Sequence, residues 1–242
     1  MRKFLALLSL LCLVTSGLKA QIWESRRWEL SAGAGPTLFF GDIGGFSPDE
    51  NYLGFRDIGV RQTRFNINGT VKYRILRDLN VRTTLTGGSF HTSDLRGSNV
   101  ERGFESSTLY FEPLALAEYY FIKNKAENNY LFLKNSGRYI SSIFYYFDFY
   151  AFSGFGANFF KVTGNDGLIE RGMTENGSAV VIPVGIGTSF VFSPELNFGM
   201  EICGRYAFND YLEGYSSQYS DSNDVYYTVN FTVTYKINSN PR

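Results

Sequence analysis

Cysteine and histidine are almost missing from this sequence, with two of the first and one of the second. Cys12 lies in the leader described below, which leaves Cys203 alone in the rest of the chain and excludes an intramolecular disulfide there. A single histidine excludes a His-rich metal site. No excess of one charge exists either: 23 Lys and Arg balance 23 Asp and Glu. That balance argues against nucleic acid as a partner and against a polybasic membrane anchor. Beyond the first twenty positions no run of eighteen apolar residues occurs, so no transmembrane helix is expected. Helix-period segments are hard to find at all. Stability must come from strand pairing and burial.

What the chain does have begins at its N-terminus. Arg2 and Lys3 precede an apolar run from Phe4 to Val14, interrupted only by Ser9, and Leu18-Lys19-Ala20 leads into Gln21. This is the pattern of a secretory signal peptide with cleavage after Ala20. Leu11 before Cys12 is too large for a lipidation site. The expected organisation is a signal peptide over 1–20 and a single domain over 21–242. The second abundant feature is aromatic: 17% of the chain is Phe, Tyr or Trp, although mean hydropathy is −0.15. A membrane barrel uses such residues for its outer apolar band and its two interfacial girdles.

Period-two alternation supports that reading. In 64–75, Phe65, Ile67, Val71, Tyr73 and Ile75 share one face, and Arg64, Asn66, Asn68, Thr70, Lys72 and Arg74 share the other. The run meets the length of about 9–11 residues that a tilted strand needs to cross a bilayer. Comparable segments fall at 28–40, 80–90, 108–121, 147–159, 180–192, 196–208 and 225–237. The connections sort by length. Leu76 to Leu79 and Ser193 to Glu195 are tight turns; 41–63, 91–107, 161–179 and 209–224 are long and polar. With the N-terminus in the periplasm, all four long connections fall outside the cell, as in outer-membrane barrels. The expected fold is all-β: an eight-stranded antiparallel transmembrane β-barrel of OmpA/OmpX-like architecture in the cell outer membrane, in contact with its lipids. Pro36, Pro113 and Pro183 fall inside strands and remove ladder donors, so bulges or turns are expected there.

An eight-stranded barrel has an interior that side chains can fill. Glu29, Arg64, Lys72, Arg74, Arg82, Glu118, Glu201, Arg205 and Lys236 should point inward, with Asn and Thr between. They could line a narrow pore or form a polar plug; the plug is expected, because buried charges are usually paired. His91, with Ser93 and Asp94 nearby, invites comparison with lipid-modifying barrels, but a triad is defined by geometry, not by sequence proximity. No enzyme activity is expected. The glycine pairs at 33/35, 154/156 and 185/187 lack a third glycine and a following helix, so they are not dinucleotide loops. Asp221 to Asp224 lacks the glycine and terminal glutamate of a calcium loop. No cofactor is expected.

One connection breaks the length rule. Residues 122–144 should form a periplasmic turn but are long, with Lys123, Lys125, Lys134 and Arg138 set against Glu127 and an apolar run that includes Tyr130 and Phe132. An apolar patch with a basic rim suits a protein partner, against the bland alternative of an extended strand with an irregular tip.

Three stretches carry a resemblance to a known family. Phe40-Gly41-Asp42-Ile43-Gly44, Ile182 to Gly187, and Arg205-Tyr206-Ala207-Phe208-Asn209-Asp210-Tyr211-Leu212 resemble, in order and spacing, the PorG-like outer-membrane barrels of Bacteroidetes. The resemblance implies a non-enzymatic barrel of the type IX secretion system, docking a periplasmic ring of PorK and PorN type, with roles in protein secretion and gliding. The alternative is an OmpX-like surface or adhesion barrel acting through its extracellular loops; a lipid-modifying enzyme is a more distant one.

Overall fold

The computed structural model describes residues 26–45, 62–96, 99–123, 147–193, 195–217 and 223–238. The leader expected at 1–20 lies outside them. Eight strands follow in chain order: β1 Trp28–Phe40, β2 Arg64–Leu76, β3 Leu79–Ser93, β4 Glu105–Ile122, β5 Phe147–Gly164, β6 Asn176–Val191, β7 Leu196–Ala207 and β8 Val225–Ile237. Each pairs antiparallel with its sequence neighbour, and β8 pairs with β1, so the sheet closes into a barrel with no free edge. Closure satisfies every strand within the sheet, which the hydrocarbon of a membrane demands. A short helix, α1 (Asp166–Glu170), and two single 3₁₀ turns stand in the connections.

Alternation assigns the two faces as expected. Phe65 is 73% exposed and Ile67 69%, while Asn66 between them is 1% exposed. Phe155, Leu109, Val184 and Phe231 are exposed in the same way, so the apolar surface faces outward and the polar set inward. No helix among the described residues is long and apolar enough to cross a membrane; the strands do so. Aromatic pairs mark both rims: Trp28–Tyr73 at 4.8 Å at the inner end, and Phe40–Tyr227 at 5.4 Å and Tyr206–Phe208 at 5.2 Å at the outer. Rings of this kind suit the headgroup boundary. The protein is an outer-membrane β-barrel.

The strand prolines correct the expectation of bulges. The β1–β8 register is the same on both sides of Pro36 (Ala34↔Phe231, Thr37↔Thr228). It is likewise unshifted past Pro113 (Phe111↔Phe159, Leu114↔Gly156) and Pro183 (Ser153↔Val184, Gly156↔Val181). In each case the ladder skips two steps on one side of the strand and runs on unbroken on the other. Glycines let the backbones close up at these gaps. A Cβ at Gly35 would lie 1.8 Å from the Val229 carbonyl oxygen, and one at Gly156 would lie 2.3 Å from that of Pro113. The register shifts that do occur sit near the inner rim, at Arg74/Leu76 and Tyr120/Ile122.

Candidate functional site

The interior is built in two layers of different chemistry. The inner half holds most of the predicted charges, and they pair. Arg74 donates to Glu29 at 2.9 Å. Glu118 accepts from Lys72 at 3.1 Å, Asn80 at 3.1 Å and Arg82 at 2.9 Å. Arg82 also holds Glu201 through two bonds of 2.6 and 3.1 Å, and the Tyr150 hydroxyl donates to the same carboxylate at 2.7 Å. The Arg82 guanidinium rests 4.1 Å from the centre of the Phe152 ring. Hydroxyls fill the gaps: Thr70 with Thr84, and Ser31 with Thr234, both at 2.9 Å. The charges pair into a plug, not a line of free charges, though among the described residues Asn80 Oδ1, Arg82 Nε and Thr86 Oγ1 are buried without a hydrogen-bond partner. Arg64 and Lys236 stand at the strand ends, half-buried.

The outer half was not anticipated. Glu112, fully buried, accepts from Arg205 Nε at 2.6 Å and from the Tyr226 hydroxyl, to which Asn158 donates at 2.8 Å. Above it, Phe39, Phe90, Tyr110, Phe160, Val162 and Leu212 close on Tyr226. Phe90 stacks on Tyr110 at 4.4 Å. The missed signal is the loss of alternation at the outer strand ends. Phe39-Phe40, Phe159-Phe160 and Tyr226-Tyr227 put a ring on both faces, and only one of each pair can face lipid. Inward glycines make room for such rings: a Cβ at Gly177 would lie 2.4 Å from Phe160, and one at Gly88 would lie 2.7 Å from the Tyr110 hydroxyl.

The described parts of the long connections, 41–45, 94–96, 99–104, 165–175 and 208–217, close over this aromatic layer as a cap. Asp94, 1% exposed, is its anchor. It accepts from the amides of Gly44 (2.9 Å) and Phe104 (3.0 Å) and takes a two-pronged Arg102 guanidinium at 2.7 and 2.8 Å. Ile43, Phe104 and Leu168 form a second small apolar core, with Met173 and Tyr215 against it. Arg102 lies 4.8 Å over Phe104 and 5.0 Å from Tyr215. Glu213 reaches from the β7–β8 connection to the amides of Asp42 (2.5 Å) and Ile43 (2.9 Å). The first motif stretch therefore meets the residue that directly follows the third.

The proposed periplasmic site is present in one residue. Lys123 folds back to donate to the Arg77 carbonyl and lies 4.4 Å from the centre of the Tyr120 ring. Lys125, Tyr130, Phe132, Lys134 and Arg138 lie outside the described residues. His91 gains partners other than its sequence neighbours. Its Nδ1 is 3.0 Å from Ser107 Oγ and its Nε2 is 3.4 Å from Glu105, while Asp94 is committed to Arg102 and to backbone amides. The trio lies on the outward face, and the side chain of Glu105 is 52% exposed. Strands β3 and β4 pair step for step from Leu79↔Tyr119 to Ser93↔Glu105, so the nearby amides belong to the ladder and none is aimed at a reacting oxygen. Among the described residues no three His, Cys, Asp or Glu side chains gather closely enough to hold a metal ion.

Comparison with known proteins agrees in outline only. No protein-family model matches the chain, and no curated protein matches it. Among solved structures, Neisserial surface protein A aligns at 12% identity and a TM-score of 0.49, covering 87% of this chain and 97% of that one. Ail of Yersinia pestis, an attachment invasion locus protein, aligns at 13% identity and a TM-score of 0.43, covering 88% and 98%. The Escherichia coli outer membrane protein W aligns at 15% identity and a TM-score of 0.39, covering 88% and 98%. The fold assignment rests on the strand pairing of the chain itself.

Proposed function

We propose that this barrel is a non-enzymatic docking component of the outer membrane, PorG-like, and that it engages ring proteins of PorK/PorN type from its periplasmic side in type IX secretion. The observation that carries a docking role is the filled interior. Glu118, Glu112, Tyr226 and Leu212, at successive levels of the barrel, are buried and bonded or packed across it. A barrel so filled acts through its ends and its outer wall, not by passing solutes. Of its ends, the periplasmic one carries the connection 123–146, which is far longer than the turns at 77–78 and 192–195 beside it. The three motif stretches support the choice of family. The test is a pull-down from crosslinked envelopes with residues 125–138 deleted. The deletion should leave a heat-modifiable barrel and abolish ring co-purification; retained co-purification would remove the site from this connection.

A second reading draws on the cap. A surface or adhesion barrel would present that cap to its ligand, and Tyr211, half exposed at the outer end, would be part of the face. Trimming 211–223 should then abolish surface binding, while the periplasmic deletion should leave it intact.

A further inference from the structure

Among the described residues, the cap holds carboxyl groups with no cation against them. Glu213 is 1% exposed. Its Oε1 accepts the amides of Asp42 and Ile43, but its Oε2 is buried with no hydrogen-bond partner. Among the described residues, the charged groups facing it from each neighbouring element are acidic or already engaged. The β1–β2 connection supplies Asp42, whose Oδ2 accepts the Ser217 amide at 2.7 Å. The β7–β8 connection itself supplies Asp224, whose Oδ2 accepts the Leu212 amide at 2.9 Å, and Asp210, which accepts from the Ser216 hydroxyl at 2.5 Å. The β3–β4 connection supplies Arg102, but both prongs of that guanidinium are on Asp94. From the barrel wall, Thr108 of β4 donates to the Leu212 carbonyl at 2.7 Å and carries no charge. Tyr226 of β8, below Leu212, is turned to Glu112.

We propose that residues 208–217, ahead of β8, are a proton-held latch over the outer mouth: it is shut while Glu213 is neutral, and it loosens when Glu213 and Asp224 both carry charge. The latch joins two loops, because Glu213 pins Asp42 and Ile43, and Ile43 is part of the cap's apolar core. Ionised, the unpartnered Oε2 would be a buried charge beside other carboxylates, a state that is costly unless the chain moves. The direction of titration agrees. Burial, and then the charges of Asp224 and Asp42, hold the Glu213 carboxyl well above the usual carboxylate range. Burial chiefly pushes Asp224 up to about 8, with Asp210 and Asp42 adding to it against the bond from Leu212. A carboxyl raised on closure binds more protons closed than open. Its contribution is therefore fully present below the open-state pKa and is lost as pH rises through the closed-state value. The latch is tightest in acid and weakens through the neutral to mildly alkaline range.

The test is amide hydrogen exchange on the folded barrel in lipid nanodiscs, corrected for intrinsic chemical rates. Protection at the Asp42, Ile43 and Leu212 amides should fall on the order of tenfold between about pH 6 and about pH 9, with the strand amides unmoved. Glu213→Gln, neutral at every pH, should hold high protection throughout, and Glu213→Ala should show low protection throughout. Should the glutamine variant fail to insert, Asp224→Asn serves instead and should shrink the fall. A wild-type cap whose protection stays flat, or an equal fall in Glu213→Gln or Asp224→Asn, overturns the latch.

Discussion

The inner half of the lumen and the outer cap use the same ionisable side chains to opposite ends. Inside, Glu118 and Glu201 share Arg82, with Lys72 against Glu118, so each carboxylate meets a cation. In the cap, Asp94 has Arg102, but Glu213 and Asp224 have backbone amides and, among the described residues, no cation. A paired network in a low-dielectric interior holds its shape across pH, though pairing mainly repays the cost of burial. An unpaired buried carboxyl keeps its place only by holding a proton. The lumen is thus the constant part of the molecule, and the cap is the part that can answer its surroundings.

The strongest way to break this contrast is to remove the cation at the centre of the inner network. Arg82→Ala leaves Glu201 buried with only the Tyr150 hydroxyl, and should cost about 3–5 kcal/mol of barrel stability. Urea unfolding from lipid vesicles measures it; a loss under about 1 kcal/mol would mean that water reaches the plug. The Arg205–Glu112 pair sharpens the same point. Arg205→Met alone should cost nearly as much, whereas Arg205→Met with Glu112→Gln should recover most of the loss, because no lone charge remains. A double variant no better than the single one would deny that the charge, and not the shape, is what matters.

Smaller effects belong to the cap. Asp94→Ala strands the Gly44 and Phe104 amides and should lower cap stability by about 1–3 kcal/mol. The change should appear as faster exchange at 41–45 and 99–104 without a shift in the unfolding midpoint of the barrel. A shifted midpoint would make cap and barrel one cooperative unit. The smallest effect is expected at His91. Its exposed contacts with Ser107 and Glu105 should be worth no more than about 0.5 kcal/mol, and the lipid profile of a His91→Ala strain should match its parent. An altered profile would make that trio a catalytic site.

Much of the barrel was legible in the sequence because a strand in a closed sheet has only two faces. Trp28 to Phe40 and Val225 to Ile237 appear in the structure with the predicted ends, since parity alone decides which side chains meet lipid. Loop length sorted the connections onto the two ends of the barrel for a similar reason, as connections on the two sides of a membrane do different work. The prolines misled because a missing donor can be absorbed in two ways. The sequence of Pro36 says that a ladder bond is lost; only the opposed strand, and the glycine beside the proline, decide whether the register slips or the backbones close the gap.

Period-two alternation was enough for the strand count and for the inward and outward sets, and loop length for which connections share an end of the barrel. Tertiary structure decided what the inward set does. Glu112 shares its parity with Glu118 on β4, yet one meets Arg205 and the other meets Lys72, Asn80 and Arg82. Glu213 sits in a polar connection whose sequence gives no sign of burial. It is buried because four chain segments distant in sequence fold over one barrel mouth, and whether a carboxyl there meets an amide, a cation or another carboxyl depends on contacts between those segments.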